Sequence, residues 1–334
     1  MKRPRLGFVG LGWIGAMRLE AVAGARNAEI AALCDATPGR LESTARAHSR
    51  TACFQEFDEM LARADDLRLD GVVIATPNSL HAPQTLAALD KGLAVFCQKP
   101  LALDTREARE MVDAARQAGR LLGVDYSYRF TEGARRLKER MDRGELGRVF
   151  SADAVFHNAY GPDKPWCFDP RLSGGGALMD LGVHLIDLAF WLLGDPPVRQ
   201  VHGRAFRSGE PLGADAVDDF ASARIELEGG AAVSLAVSWN AHAGQDCVIR
   251  AALFGTAGGG ELRNVGGSFY DFELARFDGR STAIEVRESR DWLGRAILDW
   301  VGRLTAANRF DPEIARSVAV SEVVDAVYGR VIPG

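Results

Sequence analysis

The chain has little cysteine, little histidine and no strong excess of either charge. Its five cysteines (Cys34, Cys53, Cys97, Cys167 and Cys247) are scattered, and none forms a Cys-x-x-Cys pair. That argues against a disulfide framework or a zinc module and fits a reducing compartment. A formal net charge of −5 is mild, so no footprint for nucleic acid or an anionic membrane is visible. No apolar run approaches the ~18 residues that a spanning helix needs; even Leu185 to Leu193 is interrupted by Asp187. The start Met1-Lys2-Arg3-Pro4-Arg5 is basic, but no small-residue cleavage pattern follows it, so a cytoplasmic protein is expected. Internal repeats and low-complexity tracts are also missing.

What is present is a chain of 334 residues, 47% hydrophobic and 25% charged, long enough for two domains with sizeable cores. Up to about Tyr126 short apolar strands alternate with amphipathic helices. Strands are expected over Arg5 to Gly10, Glu29 to Cys34, Asp70 to Ala75, Leu93 to Cys97 and Leu121 to Tyr126. This is the rhythm of an α/β domain, a Rossmann-type parallel sheet covered on both faces, assigned to residues 1–126. From 127 to 334 the rhythm changes to α+β. A long alternating strand, Arg148 to Asn158, precedes an apolar helix from about Ala177 to Leu193. Strands then follow at Val198 to Phe206, Asp218 to Glu228, Ala231 to Asn240, Cys247 to Phe254 and Phe272 to Phe277. Gly229-Gly230 reads as a hairpin turn within a large, mostly antiparallel sheet. Helices from Asp291 to Thr305 and Pro312 to Tyr328 finish the chain.

Gly10-Leu11-Gly12-Trp13-Ile14-Gly15 stands between the first strand and the first helix. There Gly10 permits a tight turn, Gly12 lets the backbone approach a pyrophosphate, and Gly15 allows close helix–strand packing. The helix N-terminus offers unpaired N–H groups to phosphate. Asp35 ends the next strand, 20 positions after Gly15; it is expected to accept hydrogen bonds from ribose hydroxyls, favouring NAD over NADP. Asp35 equally reads as a helix cap, and Arg40 nearby is compatible with a 2′-phosphate. Thr76-Pro77-Asn78 follows a strand where cofactor contacts are expected, although it also reads as a turn and cap. His81 reads as structural.

Lys99 follows the apolar strand at its carboxyl end, where open α/β sheets place ligands, and can stabilise a developing alkoxide. Pro100 restricts Lys99 to extended geometry. The competing reading is a surface lysine at a turn. Later, Gly174-Gly175-Gly176 leads into Asp180, His184 and Asp187, spaced i, i+4 and i+7 along one side of an otherwise apolar helix. Ionisable groups there must be paired or line a cleft. His184 suits a general base at neutral pH, with Asp180 one turn away to orient it; a satisfied core His–Asp bond is the plainer alternative. No further ligand cluster supports a metal. Tyr160, Trp166 and Arg171 fall in a Pro/Gly-rich loop and are candidates to line a substrate pocket.

The ordered set of motifs resembles the Gfo/Idh/MocA oxidoreductases, the glucose–fructose oxidoreductase and inositol dehydrogenase family. It comprises Gly10–Gly15, Ala75-Thr76-Pro77-Asn78 with His81, Gln98-Lys99-Pro100, Tyr128-Arg129-Phe130, and Gly174–Gly176 with Asp180, Gly182, His184 and Asp187. The resemblance implies an NAD(P)-dependent enzyme acting on a secondary alcohol of a sugar, inositol or related polyol. It implies that Lys99 polarises the reacting oxygen, His184 exchanges the proton, Asp180 positions substrate and Asp187 is structural. Cofactor contacts are then expected from Gly10, Gly12, Trp13, Ile14, Gly15, Asp35, Arg40, Thr76, Pro77, Asn78, His81, Gln98 and Lys99. Substrate contacts are expected from Lys99, Tyr128, Arg129, Tyr160, Trp166, Asp180 and His184. It further implies a homodimer or homotetramer formed through the C-terminal sheet. Gln98 departs from the family's glutamate and removes a negative charge beside Lys99. Two other readings stay open: an enzyme that uses tightly held NAD transiently to cleave glycosidic bonds by elimination, and a non-catalytic nucleotide-binding regulator.

Overall fold

The computed structural model describes residues 3–330, so Met1 and Lys2 of the basic start lie outside the described residues. The chain divides into two compact units. The first comprises Met1–Ala102, Arg106–Asp125 and Gly294–Val318; the second comprises Leu103–Thr105, Tyr126–Leu293 and Ala319–Gly334.

In the first unit six strands, β1 (Arg5–Val9), β2 (Glu29–Cys34), β3 (Ala52–Phe54), β4 (Gly71–Ile74), β5 (Ala94–Cys97) and β6 (Leu122–Val124), form one sheet in the order β3-β2-β1-β4-β5-β6. Every pairing is parallel. All residues of β4 and β5 are buried, as apolar strands covered on both faces should be. Strand order reverses between β1 and β4, so the loops after these two strands flank a topological switch point, where such sheets bind ligands. β3 and the short helices Phe57–Ala62 and Ala64–Leu67 go beyond the sequence expectation. With only three residues β3 is too short to show a period.

One covering helix, Arg295–Ala306, arrives from late in the chain. Its Trp300 lies across the sheet, with its ring 5.7 Å from that of Phe96 on β5. Glycines make room for the indole on either side. A Cβ on Gly123 would stand 2.7 Å from Trp300 Cδ1, and one on Gly71 would stand 3.0 Å from its Cη2.

The second unit holds nine strands: β7 (Val149–Asn158), β8 (Val198–Arg207), β9 (Glu210–Pro211), β10 (Phe220–Leu227), β11 (Ala232–Ser238), β12 (Cys247–Gly255), β13 (Gly259–Asn264), β14 (Phe272–Asp278) and β15 (Ser281–Glu288). Their order is β15-β14-β13-β12-β7-β11-β10-β8-β9, with β7 and β11 parallel and the other pairings antiparallel. Gly229 and Gly230, both at φ 87°, turn β10 into β11. β10 buries Ala221, Ala223, Ile225 and Leu227 in alternation with Ser222, Arg224 and Glu226, so one face is core. Helix Val183–Leu193 packs on β7, β11 and β12, and helix Glu132–Asp142 on β13, β14 and β15. Ion pairs link charged side chains from strand to strand: Arg250 meets Asp153 and Glu261, while Arg263 meets Glu273.

The segment Pro170–Leu193 is long and apolar enough by composition to cross a membrane, contrary to the expectation that no stretch would be. Of its most apolar window, 78% is buried within the protein, which is the behaviour of a core helix. The helix expected over Ala177 to Leu193 is also not regular: a π-helical turn, Leu178–Gly182, precedes the α-helix Val183–Leu193.

Trp300→Ala should destabilise the protein by about 3–5 kcal/mol in urea unfolding. Trp300→Phe should cost much less, because the buried indole N–H has no hydrogen-bond partner to lose.

Candidate active site

In the first unit the glycine loop is shaped by backbone contacts. Gly10 sits at φ 81°, and a Cβ there would stand 2.5 Å from the Ala75 carbonyl oxygen. A Cβ on Gly15 would stand 1.9 Å from the Gly10 carbonyl oxygen. At Gly12 nothing lies within 4 Å of the Cβ position, and no side chain caps the helix Trp13–Ala25 that begins there. A helix start without a side-chain cap and with room beside Gly12 fits a dinucleotide pyrophosphate approaching the backbone. Trp13 is exposed and Ile14 half-buried at this turn.

Asp35 follows β2 and is buried. Its Oδ2 accepts the Leu11 N–H at 2.7 Å and its Oδ1 the Thr37 N–H at 2.8 Å. Arg40 Nη1 donates to both oxygens, at 3.2 and 3.1 Å. Asp35 therefore braces the turn before helix Pro38–Ala47, whose start no side chain caps, and ties it to the glycine loop. Arg40, the group compatible with a 2′-phosphate, is held by the carboxylate that disfavours one.

Thr76 donates its hydroxyl to Gln84 Oε1 at 2.8 Å, and Asn78 opens a 3-10 turn ahead of helix His81–Asp90. His81 is fully buried, with Nδ1 2.8 Å from the Pro100 carbonyl oxygen and Nε2 3.0 Å from that of Thr76. It ties the loop after β4 to the one after β5. In the second of these loops Lys99 is half-buried and joined to Pro100 by a cis peptide. Gln98 donates its amide to Asp125, whose carboxylate also pairs with Arg18. The anion that is missing at position 98 is thus present in its hydrogen-bond partner.

In the second unit Tyr128 stands near both Asp180 and His184, and Asp187 is held by Arg129. Asp180 lies in the π turn and accepts the Trp239 indole N–H at 3.2 Å. His184 packs edge-on against the ring of Tyr128, with centroids 5.0 Å apart. Tyr128 is buried, which pushes its phenol far above the ordinary range and keeps it protonated. Asp187, fully buried, forms an ion pair with Arg129. Arg129, expected to touch substrate, is thus paired with the residue expected to be structural.

Tyr160 is 53% exposed and packs on Phe269. Trp166 is half-buried in the 3-10 turn Pro165–Phe168, while Arg171 is exposed and paired with Asp169. Phe168, from the same turn as Trp166, packs against Trp239. Sequence reasoning missed Trp239, because the last apolar residue of a strand reads as core. Among the described residues, no group of three or more His, Cys, Asp and Glu is placed to hold a metal ion.

Burial holds the His81 imidazole below its ordinary pKa of 6.5, against the two carbonyls and together with nearby Lys99. The unfolded chain takes up this proton first as pH falls, so stability should be lost below about pH 6.5. The urea midpoint should drop between about pH 7.5 and pH 5.5, and drop less in His81→Asn.

Residues 4–126 match the domain described as oxidoreductase family, NAD-binding Rossmann fold. Residues 134–261 match the GFO/IDH/MocA C-terminal domain. The chain is 29% identical over 246 residues to the D-glucoside 3-dehydrogenase of Escherichia coli, covering 70% of this chain and 69% of that protein. It is 29% identical over 342 residues to an inositol 2-dehydrogenase of Saccharopolyspora erythraea, covering 98% and 94%. Among solved structures, GenD2 from gentamicin A biosynthesis, in complex with NAD, superposes with a TM-score of 0.81 at 26% identity over 98% of this chain and 94% of that one. The aldose-aldose oxidoreductase of Caulobacter crescentus reaches a TM-score of 0.85 over 98% and 97%; at 22% identity it speaks for the fold alone. The chain belongs to the GFO/IDH/MocA oxidoreductase family, with an NAD-binding Rossmann fold over residues 4–126.

Proposed function

We propose that the protein is a dehydrogenase that interconverts a secondary alcohol and a ketone on a sugar, inositol or related polyol, with NAD as the preferred nicotinamide. The observation that carries this reading is the position of Lys99. It stands just beyond the carboxyl end of β5, in the same parallel sheet and at the same strand ends as the Gly10–Gly15 loop. A lysine on that edge is where hydride-transfer chemistry needs a cation. The sugar and inositol dehydrogenases among the relatives support the substrate class.

In this reading Gly10, Gly12 and Gly15 admit the pyrophosphate to the N-terminus of helix Trp13–Ala25, and Asp35 takes the ribose hydroxyls. When bound, the nicotinamide supplies the hydride acceptor. Lys99 stabilises negative charge on the substrate oxygen as its proton leaves. His184 receives that proton, and the ring of Tyr128 limits how the imidazole can turn. Asp180, oriented by Trp239, accepts hydrogen bonds from neighbouring substrate hydroxyls. Tyr160 and Trp166 offer aromatic surface to the C–H face of a sugar. Association through the nine-stranded sheet, as a dimer or tetramer, belongs to the same reading.

Formation of reduced nicotinamide should be measured with NAD and NADP across inositols, aldoses and sugar acids. Turnover should fall about 10²- to 10³-fold in Lys99→Met, the effect of removing one preorganised charge-stabilising group. An unchanged rate in that variant would remove Lys99 from the chemistry. Asp35→Ala should shift the kcat/KM ratio toward NADP by about tenfold or more, matching the loss of a charged hydrogen bond worth ~1.5–3 kcal/mol.

A further inference from the structure

The three consecutive glycines Gly174–Gly176 have no part in the chemistry above, yet two of them stand where no side chain fits. A Cβ on Gly175, at φ 158°, would lie 2.2 Å from the Tyr328 hydroxyl oxygen. One on Gly176 would lie 1.8 Å from the Asp218 carbonyl oxygen. The space is taken by Asp218, which is fully buried between this turn and the C-terminal helix Arg316–Tyr328.

Asp218 collects three successive N–H groups at the entry to the helix that carries Asp180 and His184. Gly176 N donates to its Oδ1 at 2.7 Å, Leu178 N to its Oδ2 at 2.8 Å, and Ala177 N to its carbonyl oxygen at 2.9 Å. These would otherwise be unsatisfied donors of a buried helix start, where an anion also meets the favourable end of the helix dipole. The Tyr328 hydroxyl donates to Oδ1 at 2.6 Å. Arg330 lies over the Tyr328 ring and donates to the carbonyl oxygens of Gly174 and Leu103.

The neighbouring residue extends this hold to the other side of Asp180. Trp239 N donates to the Asp219 carbonyl oxygen at 2.7 Å, and the same tryptophan's indole N–H meets Asp180. The dipeptide Asp218-Asp219 therefore sets both the backbone height of the π turn and the partner that orients the Asp180 carboxylate.

We infer that Asp218 is a positioning residue for the reaction, with Tyr328 as its support: its carboxylate fixes the entry of the helix that presents Asp180 and His184. The inference rests on the reaction proposed above. An asparagine at 218 has one acceptor oxygen and turns its amide N–H₂ toward a backbone N–H, so one of the two side-chain anchors is lost. Tyr328→Phe keeps both anchors and removes only the support.

The test uses full-length Asp218→Asn and Tyr328→Phe. Turnover and the KM for NAD are measured, together with the indole ¹H–¹⁵N resonance of Trp239, identified through Trp239→Phe. Asp218→Asn should lower kcat about 10²-fold, the scale of a ~1 Å misplacement of catalytic groups, with the KM for NAD within about twofold. Tyr328→Phe should lower kcat about 3- to 10-fold with the same split. Both should move the Trp239 resonance. An unmoved resonance, a kcat within about twofold of the parent, or a KM for NAD that rises in step with the fall in kcat overturns the inference. Should Asp218→Asn fail to fold, Tyr328→Phe decides by the same criteria. A parent protein with no nicotinamide-linked turnover overturns the reaction proposed above, and the Trp239 resonance alone then decides whether Asp218 governs Asp180.

Discussion

Close approach of one backbone to another, at positions where a Cβ would collide with a carbonyl oxygen, is the constraint on which both units depend. In the first unit the Gly10 carbonyl oxygen occupies the space of a Gly15 side chain, and the Ala75 carbonyl oxygen that of a Gly10 side chain. The loop after β1 is thereby pressed against the loop after β4, and the helix Trp13–Ala25 starts without a side-chain cap. In the second unit the Asp218 carbonyl oxygen fills the Gly176 position. The two glycine clusters differ in outcome because of what enters the vacated space. An aspartate satisfies the helix start in the second unit, whereas no side chain caps the one in the first.

Buried charge sets the second constraint. Asp125 and Asp187 lie almost wholly out of water, and each has a guanidinium partner, Arg18 and Arg129. Breaking such a pair typically costs about 3–5 kcal/mol, so these residues bind neighbouring segments together firmly. Asp125 does so directly beside the chemistry-bearing loop, because Gln98 donates to it. Asp187 links the helix of His184 to the turn that carries Tyr128, and Tyr128 in turn packs against His184. The polar residues of the helix thus separate into one that locks it in place and two that remain half-buried.

Much of the fold was legible where pattern and length were strong. The parallel sheet announced itself through fully apolar strands, and β10 through its strict alternation. The missed strands each lack that signal. β3 has three residues. β13 begins with Gly259-Gly260, which reads as a turn; a Cβ on Gly260 would stand 2.7 Å from Leu137 Cδ1, so packing explains the glycine. β15 is an edge strand with mostly exposed residues. The regular helix expected from Ala177 failed at the π turn, because spacing alone cannot reveal a change of helical period.

The sequence by itself determined the local devices: the Gly10–Gly15 turn, the apolar strand that ends at Lys99, and the buried helix bearing Asp180, His184 and Asp187. These follow from short-range sterics and hydrophobic periodicity, which act within a few residues. Only the tertiary structure decided which distant groups complete them. It joined Trp239 to Asp180, Arg129 to Asp187, and Asp218 with Tyr328 to the triple glycine, and it returned Gly294–Val318 to the first unit. Such pairings depend on the demand that every buried polar group find a partner, and that demand is met across the fold rather than along the chain.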